Sequence, residues 1–199
     1  MKITGPHLFV CVIVLSSAGC GGNAHLGTPT ADGFHSKLPG PHTRAVVWGG
    51  RADIMQSTST WLSKKGVLVV DQTIVLQVAA EQKVTLTENK NLETDILRLA
   101  RSVGARLVVF SNAEVGTVAA GFLRTRAYSA RVAVRAVDVN TGEIEWIGGA
   151  QSTERFSNME EGITLLTCHA LATAWDMRKP GSAAPATICP PGSGLIDTQ

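Results

Sequence analysis

Residues 131–146, with the sequence RVAVRAVDVNTGEIEW, predict a β-hairpin and decide the fold. Arg131, Ala133 and Arg135 alternate with two valines, which is the period of a half-buried strand. The triplet NTG at 140–142 interrupts this alternation, and Gly142 can adopt a positive φ at no steric cost. The alternation resumes at 143–146. We therefore interpret Asp138 and the triplet as turn chemistry rather than as a site.

The composition is that of a globular protein with one domain. The chain has 199 residues, a formal charge of +2 and no basic stripe with interleaved aromatic residues, so nothing predicts nucleic-acid binding. Its four cysteines include no C-x-x-C pair, and the histidines of residues 25–42 have irregular spacing. We therefore expect no metal site and no cofactor.

Residues 1–19 have the layout of a secretory signal, and Cys20 follows them directly. Lys2 supplies a positive charge, residues 8–15 form an apolar run too short to span a bilayer, and residues 16–19 are small. The stretch resembles a bacterial lipoprotein signal, which implies that Cys20 is the first mature residue and carries the lipid. Ser17 departs from that pattern, since leucine is usual three residues before the cysteine. The alternative is an ordinary signal peptide that leaves a free thiol.

The rest of the chain divides into three parts. Residues 20–43 are rich in glycine, proline and polar residues and predict a flexible tether. Residues 44–179 contain the periodic segments and predict one compact α/β domain. Residues 180–199 are rich in alanine, proline and glycine and predict a disordered tail.

Within the domain the predicted order is β-α-β-α-α-β, then β-β, then α. Helices between the early strands favour parallel pairing and the later meander favours antiparallel pairing, so we expect a mixed sheet with helices packed on it. The second helix, at 72–82, is predicted to bury Ile74, Val75 and Val78. Ser157 begins a capping box for the last helix, which is predicted to run to about residue 177.

The cysteines outside the signal leave two interpretations open. With Cys11 removed and Cys20 lipidated, Cys168 and Cys189 are an even pair in an oxidising compartment, which predicts a disulfide that closes a loop of about 20 residues. The competing interpretation is a buried Cys168 and an incidental Cys189. A Cys168–His169 nucleophile pair is a third, weaker alternative, because neighbours on a helix face different directions.

Several segments together resemble a family of bacterial envelope lipoproteins. They are VLVVDQTIVLQVAAEQK at 67–83, LARSVGARLVVFSNAEVG at 99–116, VAVRAVDVNTGEIEW at 132–146 and ITLLTCHALATAW at 163–175. In this order and spacing they look like the domain shared by CsgG-like curli-secretion lipoproteins and LpoB-like activators of peptidoglycan synthases. The resemblance implies an outer-membrane lipoprotein with its domain in the periplasm. It also implies a partner protein of the envelope, which the domain assists in peptidoglycan synthesis or in assembly of a surface structure.

The departures from the CsgG-like branch favour a non-enzymatic accessory lipoprotein over a secretion channel. A CsgG-like channel inserts two long hairpins into the outer membrane, whereas the stretch between Val115 and Val132 is short and carries Arg124, Arg126 and Arg131. No motif with the spacing of a nucleophile, metal or phosphate site is present. The channel subunit remains the first alternative and a structural envelope lipoprotein the second. Homo-oligomerisation is left open.

The predicted partner surface consists of Arg124, Tyr128 and Arg131. Tyrosine and arginine are enriched at the centres of interfaces, and these residues lie close together in the strand before the hairpin. Strict alternation places Arg131 on the other face of the strand, so its membership is the least secure. The alternative is a solvated strand face.

Overall fold

A computed structural model describes residues 30–35, 37–86, 91–120, 125–152, 156, 158–176 and 189. For residues 30–35, 118–120 and 125–127 it describes the backbone only. The elements, in chain order, are β1 (Thr30–His35), β2 (Arg44–Gly49), α1 (Ala52–Lys64), β3 (Leu68–Val70), α2 (Gln72–Glu81), α3 (Leu92–Ser102), β4 (Leu107–Ala120), β5 (Thr125–Asp138), β6 (Ile144–Gln151) and α4 (Met159–Asp176).

The strands form one sheet in the order β1-β6-β5-β4-β2-β3. β2 pairs in parallel with β3 and β4, because α1 and the α2–α3 pair provide the crossovers that parallel strands need. β4, β5 and β6 form an antiparallel meander, and β1 pairs antiparallel with β6. The predicted mixed sheet with helices packed on it is confirmed.

β1 corrects the predicted extent of the tether. The backbone of residues 30–35 pairs with β6 from Thr30↔Gln151 to His35↔Trp146, so the prediction of a flexible tether over 20–43 is wrong for this segment. Beyond it, the His42 N–H donates to the carbonyl of Gly66 at 2.8 Å. Strand addition uses backbone groups, which is why a sequence of small and polar residues did not predict it.

Helices α1 and α4 cover one face of the sheet, and we call it the inner face. Side chains from β4, β5 and β6 and from both helices form its core. The tryptophan rings of Trp61, Trp146 and Trp175 meet edge to face, with centroids 5.1 Å apart for Trp61–Trp175 and 6.1 Å for Trp146–Trp175. At the start of α4 the Asn158 Oδ1 accepts from the backbone N–H of Glu160 at 3.1 Å. Ser157 lies outside the described residues.

Helices α2 and α3 cover part of the opposite face, which we call the outer face. Val46, Val75, Ile96, Leu99 and Val108 are completely buried there, between the helices and strands β2 and β4. The predicted inner side of α2 is corrected. Val75 is buried as predicted, together with Ala79, and Val78 packs against the same core, whereas Ile74 is 47% exposed.

The turn between β5 and β6 confirms the predicted hairpin chemistry. The Asp138 carboxylate accepts from the backbone N–H groups of Asn140 at 2.8 Å and Thr141 at 3.1 Å. Gly142 has φ of 73°, the left-handed conformation that glycine adopts without steric cost.

The β4–β5 hairpin is longer than the stretch between Val115 and Val132. Both strands have 14 residues, and their register runs from Leu107↔Asp138 to Ala120↔Thr125. β2 accompanies β4 only as far as Gly49↔Ser111, so the distal part of the hairpin extends beyond the parallel part of the sheet.

Candidate functional site

An open groove of about 1020 Å³ lies on the outer face, where helices α2 and α3 leave β5 and β6 uncovered. Ala133 on β5 is exposed and Ile147 on β6 is 41% exposed, although both lie in the middle of a sheet. Central strands are normally covered on both faces of an α/β sheet. The groove is therefore an uncovered part of the domain's layered architecture.

The strand register explains why this surface is concave. Three side-chain rows cross the outer face, because residues opposite each other on neighbouring strands point to the same side. The middle row contains Ala133 with Asn112 and Gly149 as its register partners, and small residues at Ala133 and Gly149 lower the floor. The two flanking rows carry larger side chains. They are Phe110, Arg135 and Ile147 in one row and Glu114, Arg131 and Gln151 in the other.

Arg135 is held in a fixed position at one side of the groove. Its Nη1 and Nη2 donate to the two oxygens of Glu93 at 3.0 and 2.6 Å, and its guanidinium carbon lies 4.8 Å from the centre of the Phe110 ring. The ion-pair partners are 36% and 45% exposed, so the pair adds little to stability. Its effect is to orient a planar donor group beside the groove floor.

Arg131 differs from Arg135 in having no partner for its guanidinium among the described residues. Arg131 is exposed, and its side chain forms no hydrogen bond or ion pair in the described part of the chain. Glu114 is its register partner on β4 without forming a salt bridge to it. Arg131 can therefore offer donors to a bound molecule without first giving up a partner.

An aromatic wall completes the groove on the side of α3. Trp48 and Phe110 are register partners on β2 and β4, and both are partly buried against the core of the outer face. Leu86 and Leu92 line the same side. An apolar wall with a few directed polar groups is the usual composition of a binding site.

The predicted partner surface is divided by the sheet. Tyr128 belongs to the inner face, where its ring stacks on Phe156 with centroids 6.1 Å apart and planes inclined by 29°. Arg131 belongs to the outer face, as strict alternation indicates, and lines the groove. Arg124 lies outside the described residues. The three residues therefore do not form one surface, and Arg131 is the member of the prediction that lies at the candidate site.

Arg135, Trp48 and Phe110 are site residues that the sequence alone did not predict. The alternation in β5 already placed Arg131, Ala133 and Arg135 on one face. The missing information was the strand order, which places β2 and β4 beside them. The groove depends on four strands, β2, β4, β5 and β6, and cannot be inferred from one.

Cys168 and Cys189 form a disulfide in the structure, with a Cα–Cα distance of 5.7 Å across 21 residues. Cys189 is 3% exposed and packs in the core of the inner face. The disulfide therefore anchors this point of the predicted tail on α4, on the side of the sheet opposite the groove. Burial lowers the pKa of the neighbouring His169, which is 6% exposed.

Among the described residues, no group of three or more histidine, cysteine or acidic side chains is arranged to hold a metal ion. No described helix is long and apolar enough to cross a membrane. Cys20 and the signal segment lie outside the described residues, so lipid attachment stays a prediction.

The element order and the helices on both faces of a mixed sheet define an α/β domain. No model of a protein family matches the chain, and neither does any curated protein.

Three solved structures with similar backbones have sequence identities of 20% or less. The PelC dodecamer from Paraburkholderia phytofirmans is 16% identical and has a TM-score of 0.48 over 74% of this chain and 97% of that chain. The C-terminal domain of LpoB from Escherichia coli is 16% identical, with a TM-score of 0.45 over 59% of this chain and 87% of that chain. A lipoprotein from Neisseria meningitidis is 20% identical, with a TM-score of 0.43 over 62% and 90%.

Proposed function

We propose that this chain is a non-enzymatic lipoprotein that binds and assists a protein partner in the cell envelope. Its lipid is carried by Cys20 at the outer membrane, and its domain faces the periplasm. The observation that carries the proposal is the groove on the outer face, with Arg135 fixed beside it and Arg131 exposed without a partner in the described part of the chain. The resemblance of the sequence to LpoB-like and CsgG-like lipoproteins names two kinds of partner, a peptidoglycan synthase and a component of a surface structure.

The chemistry of the groove supports docking by a protein segment. Among the described residues, the lining combines two arginines with Trp48, Phe110 and Ile147 and includes no acidic side chain. Arginine and aromatic residues are enriched at interface centres, where they provide contact area and directed hydrogen bonds together. A groove with this lining favours an acidic or carboxylate-bearing segment of the partner.

Photo-crosslinking from the groove floor tests the proposal. A photoreactive residue replaces Ala133 in the full-length chain expressed in its own envelope, and a matched probe replaces Thr141 in the β5–β6 turn. We expect an envelope protein to crosslink from position 133 and not from position 141.

Arginine variants show whether the captured protein depends on the groove. Arg131→Ala should weaken capture by about 10- to 100-fold, because a hydrogen bond to a charged group contributes about 1.5–3 kcal/mol. Arg98→Ala, which removes an exposed arginine of α3, is the control. Equal capture by both variants contradicts the groove as the docking site.

A secretion-channel subunit is the second candidate, favoured by one observation. The 14-residue strands of the β4–β5 hairpin extend beyond the rest of the sheet. Reconstitution of the lipidated protein in liposomes distinguishes the two functions. Reproducible solute leakage would contradict the accessory function and favour the channel.

A further inference from the structure

Beyond Ser111, one edge of strand β4 is left uncovered by the described strands. β2 pairs with β4 up to Ser111, whereas β4 continues to Ala120. In the described ranges of the chain, residues 112–120 pair only with β5. A nine-residue edge of this kind presents a row of unpaired backbone donors and acceptors.

The hydrogen bonds of β5 show which backbone groups face this edge. The N–H and C=O of Tyr128 bond to Phe156, both at 2.9 Å, on the side away from β4. Tyr128 is the register partner of Thr117, so this pair does not exchange hydrogen bonds, and the backbone groups of Thr117 point to the free edge. By alternation, residues 113, 115, 117 and 119 present their N–H and C=O groups outward.

The edge lacks the features that protect edge strands from pairing. Residues 112–120 read NAEVGTVAA, with Glu114 as the single charge and neither lysine nor proline. β3, the strand at one border of the sheet, has only three residues, and this shortness protects it from pairing with another strand. Long edge strands with few charges and no proline are templates for pairing with another strand.

We propose that this edge pairs with the same edge of a second copy of the chain, antiparallel and about a two-fold axis at Gly116. A register centred on Gly116 brings all nine residues of 112–120 into the pairing. The outward-facing positions meet one another, with 115 opposite 117 and 113 opposite 119. Four such pairs give about eight backbone hydrogen bonds, since each hydrogen-bonded antiparallel pair exchanges two.

The same register avoids the one electrostatic conflict that the edge could create. Glu114 lies opposite position 118 of the other copy, so the two carboxylates do not meet. An axis at Glu114 would place them directly opposite each other and would shorten the pairing, and like charges in that arrangement are destabilising. Gly116 on the axis has no side chain to obstruct its counterpart. These features favour a second copy as the occupant, and the inference is independent of the groove.

A cysteine at position 116 tests the pairing in the membrane-anchored protein. Across a non-hydrogen-bonded pair the Cα atoms are about 4.5 Å apart, within the range that a disulfide bridges. The new Cβ would lie 2.9 Å from the Ser129 Oγ, the end of a side chain that can rotate, so Gly116→Cys should fold. We expect the full-length variant to give a disulfide-linked dimer on non-reducing gels. The parent chain and Thr141→Cys, in an exposed turn, should remain monomeric.

Thr117→Pro in the cysteine background provides the second measurement. Proline removes an N–H that faces the free edge and leaves the pairing with β5 intact. We expect at least a tenfold loss of dimer with unchanged circular dichroism, while Arg131→Ala leaves the dimer unaffected. Absence of the dimer from Gly116→Cys, its persistence with Thr117→Pro, or a ladder of higher oligomers under amine crosslinking would overturn the two-fold pairing.

Discussion

The Nε of Arg106 lies 3.4 Å from the carboxylate of Asp138, and the Nη2 of the same arginine donates to Glu145. Asp138 ends β5 and Glu145 lies in β6, so one guanidinium connects the two sides of the hairpin turn. Both acidic side chains are largely buried, at 14% and 9% exposure. The charge of Arg106 therefore compensates two carboxylates that have little access to water.

Arg106→Met should destabilise the domain by about 1.5–3 kcal/mol. The substitution keeps the apolar length of the side chain and removes the charge, which leaves two partly buried carboxylates without their cation. Chemical denaturation at neutral pH measures the free energy of unfolding. Arg98→Met is the matched control, because the Arg98–Asp95 pair is exposed and should contribute less than about 0.5 kcal/mol. Equal losses in the two variants would contradict this interpretation.

Asp138 should make the hairpin sensitive to acid. Burial raises the pKa of Asp138, but hydrogen bonds from the backbone of Thr141 and Asn140 and the charge of Arg106 outweigh it, and the net pKa is lowered. A carboxyl group with a lowered folded-state pKa contributes stability above its unfolded pKa of about 3.9, and that stability is lost as the pH falls through the folded-state pKa. Asp138→Asn should therefore flatten the dependence of unfolding free energy on pH below about pH 4. If unfolding free energy depends on pH equally in Asp138→Asn and in the parent chain, Asp138 is excluded as the source of the acid sensitivity.

The helical parts of this fold could be predicted because their signals are local. The α1 stripe of Ile54, Thr58, Trp61 and Leu62 is buried as its spacing indicates, and Gly66 has the positive φ expected after a helix. Each of these features depends on residues within two turns of one another.

β1 and the groove could not be predicted because they depend on partners distant in sequence. β1 joins the sheet through backbone pairing with β6, which leaves no hydrophobic pattern in residues 30–35. The groove requires Trp48, Phe110 and Arg135 on neighbouring strands, a relation set by strand order. Alternation along β5 already indicated that Tyr128 and Arg131 lie on opposite faces of the sheet. The positions of the helices are needed to show that the groove lies on the face that carries Arg131.

Gly148 is a position where a single methyl group should disturb the packing of α4. A Cβ built there would overlap the carbonyl oxygen of Ala170 and lie 2.9 Å from its carbonyl carbon. Backbone cannot rotate away as a side chain does, so Gly148→Ala must push α4 from the sheet, at a cost of about 1–3 kcal/mol. Gly50→Ala is the control, since its Cβ would meet nothing within 4 Å. Thermal unfolding of both variants measures the difference, and unchanged stability for Gly148→Ala would show that α4 packs less closely.

Cys20 should determine where the protein resides. If Cys20 is the lipidated first residue of the mature chain, Cys20→Ala should release the protein from the membrane fraction or leave the signal uncleaved. Fractionation and mass spectrometry of the mature N-terminus measure both outcomes. Cys11→Ala is the control, since residue 11 is removed with the signal. A soluble parent protein with an unmodified N-terminus would contradict the lipoprotein interpretation.

The Cys168–Cys189 disulfide should stabilise the domain by restricting the unfolded chain. A cross-link across 21 residues removes loop-closure entropy from the unfolded state, which corresponds to about 3 kcal/mol in the chain-entropy model. The double variant Cys168→Ala/Cys189→Ala should therefore unfold at a lower temperature than the oxidised parent chain. Reduction should lower the unfolding temperature of the parent chain to nearly the same value. Non-reducing peptide mapping of the exported protein tests the premise directly, because two free thiols would exclude the disulfide. Groove variants such as Arg131→Ala should leave the mapped disulfide unchanged, since the disulfide lies on the opposite face of the sheet.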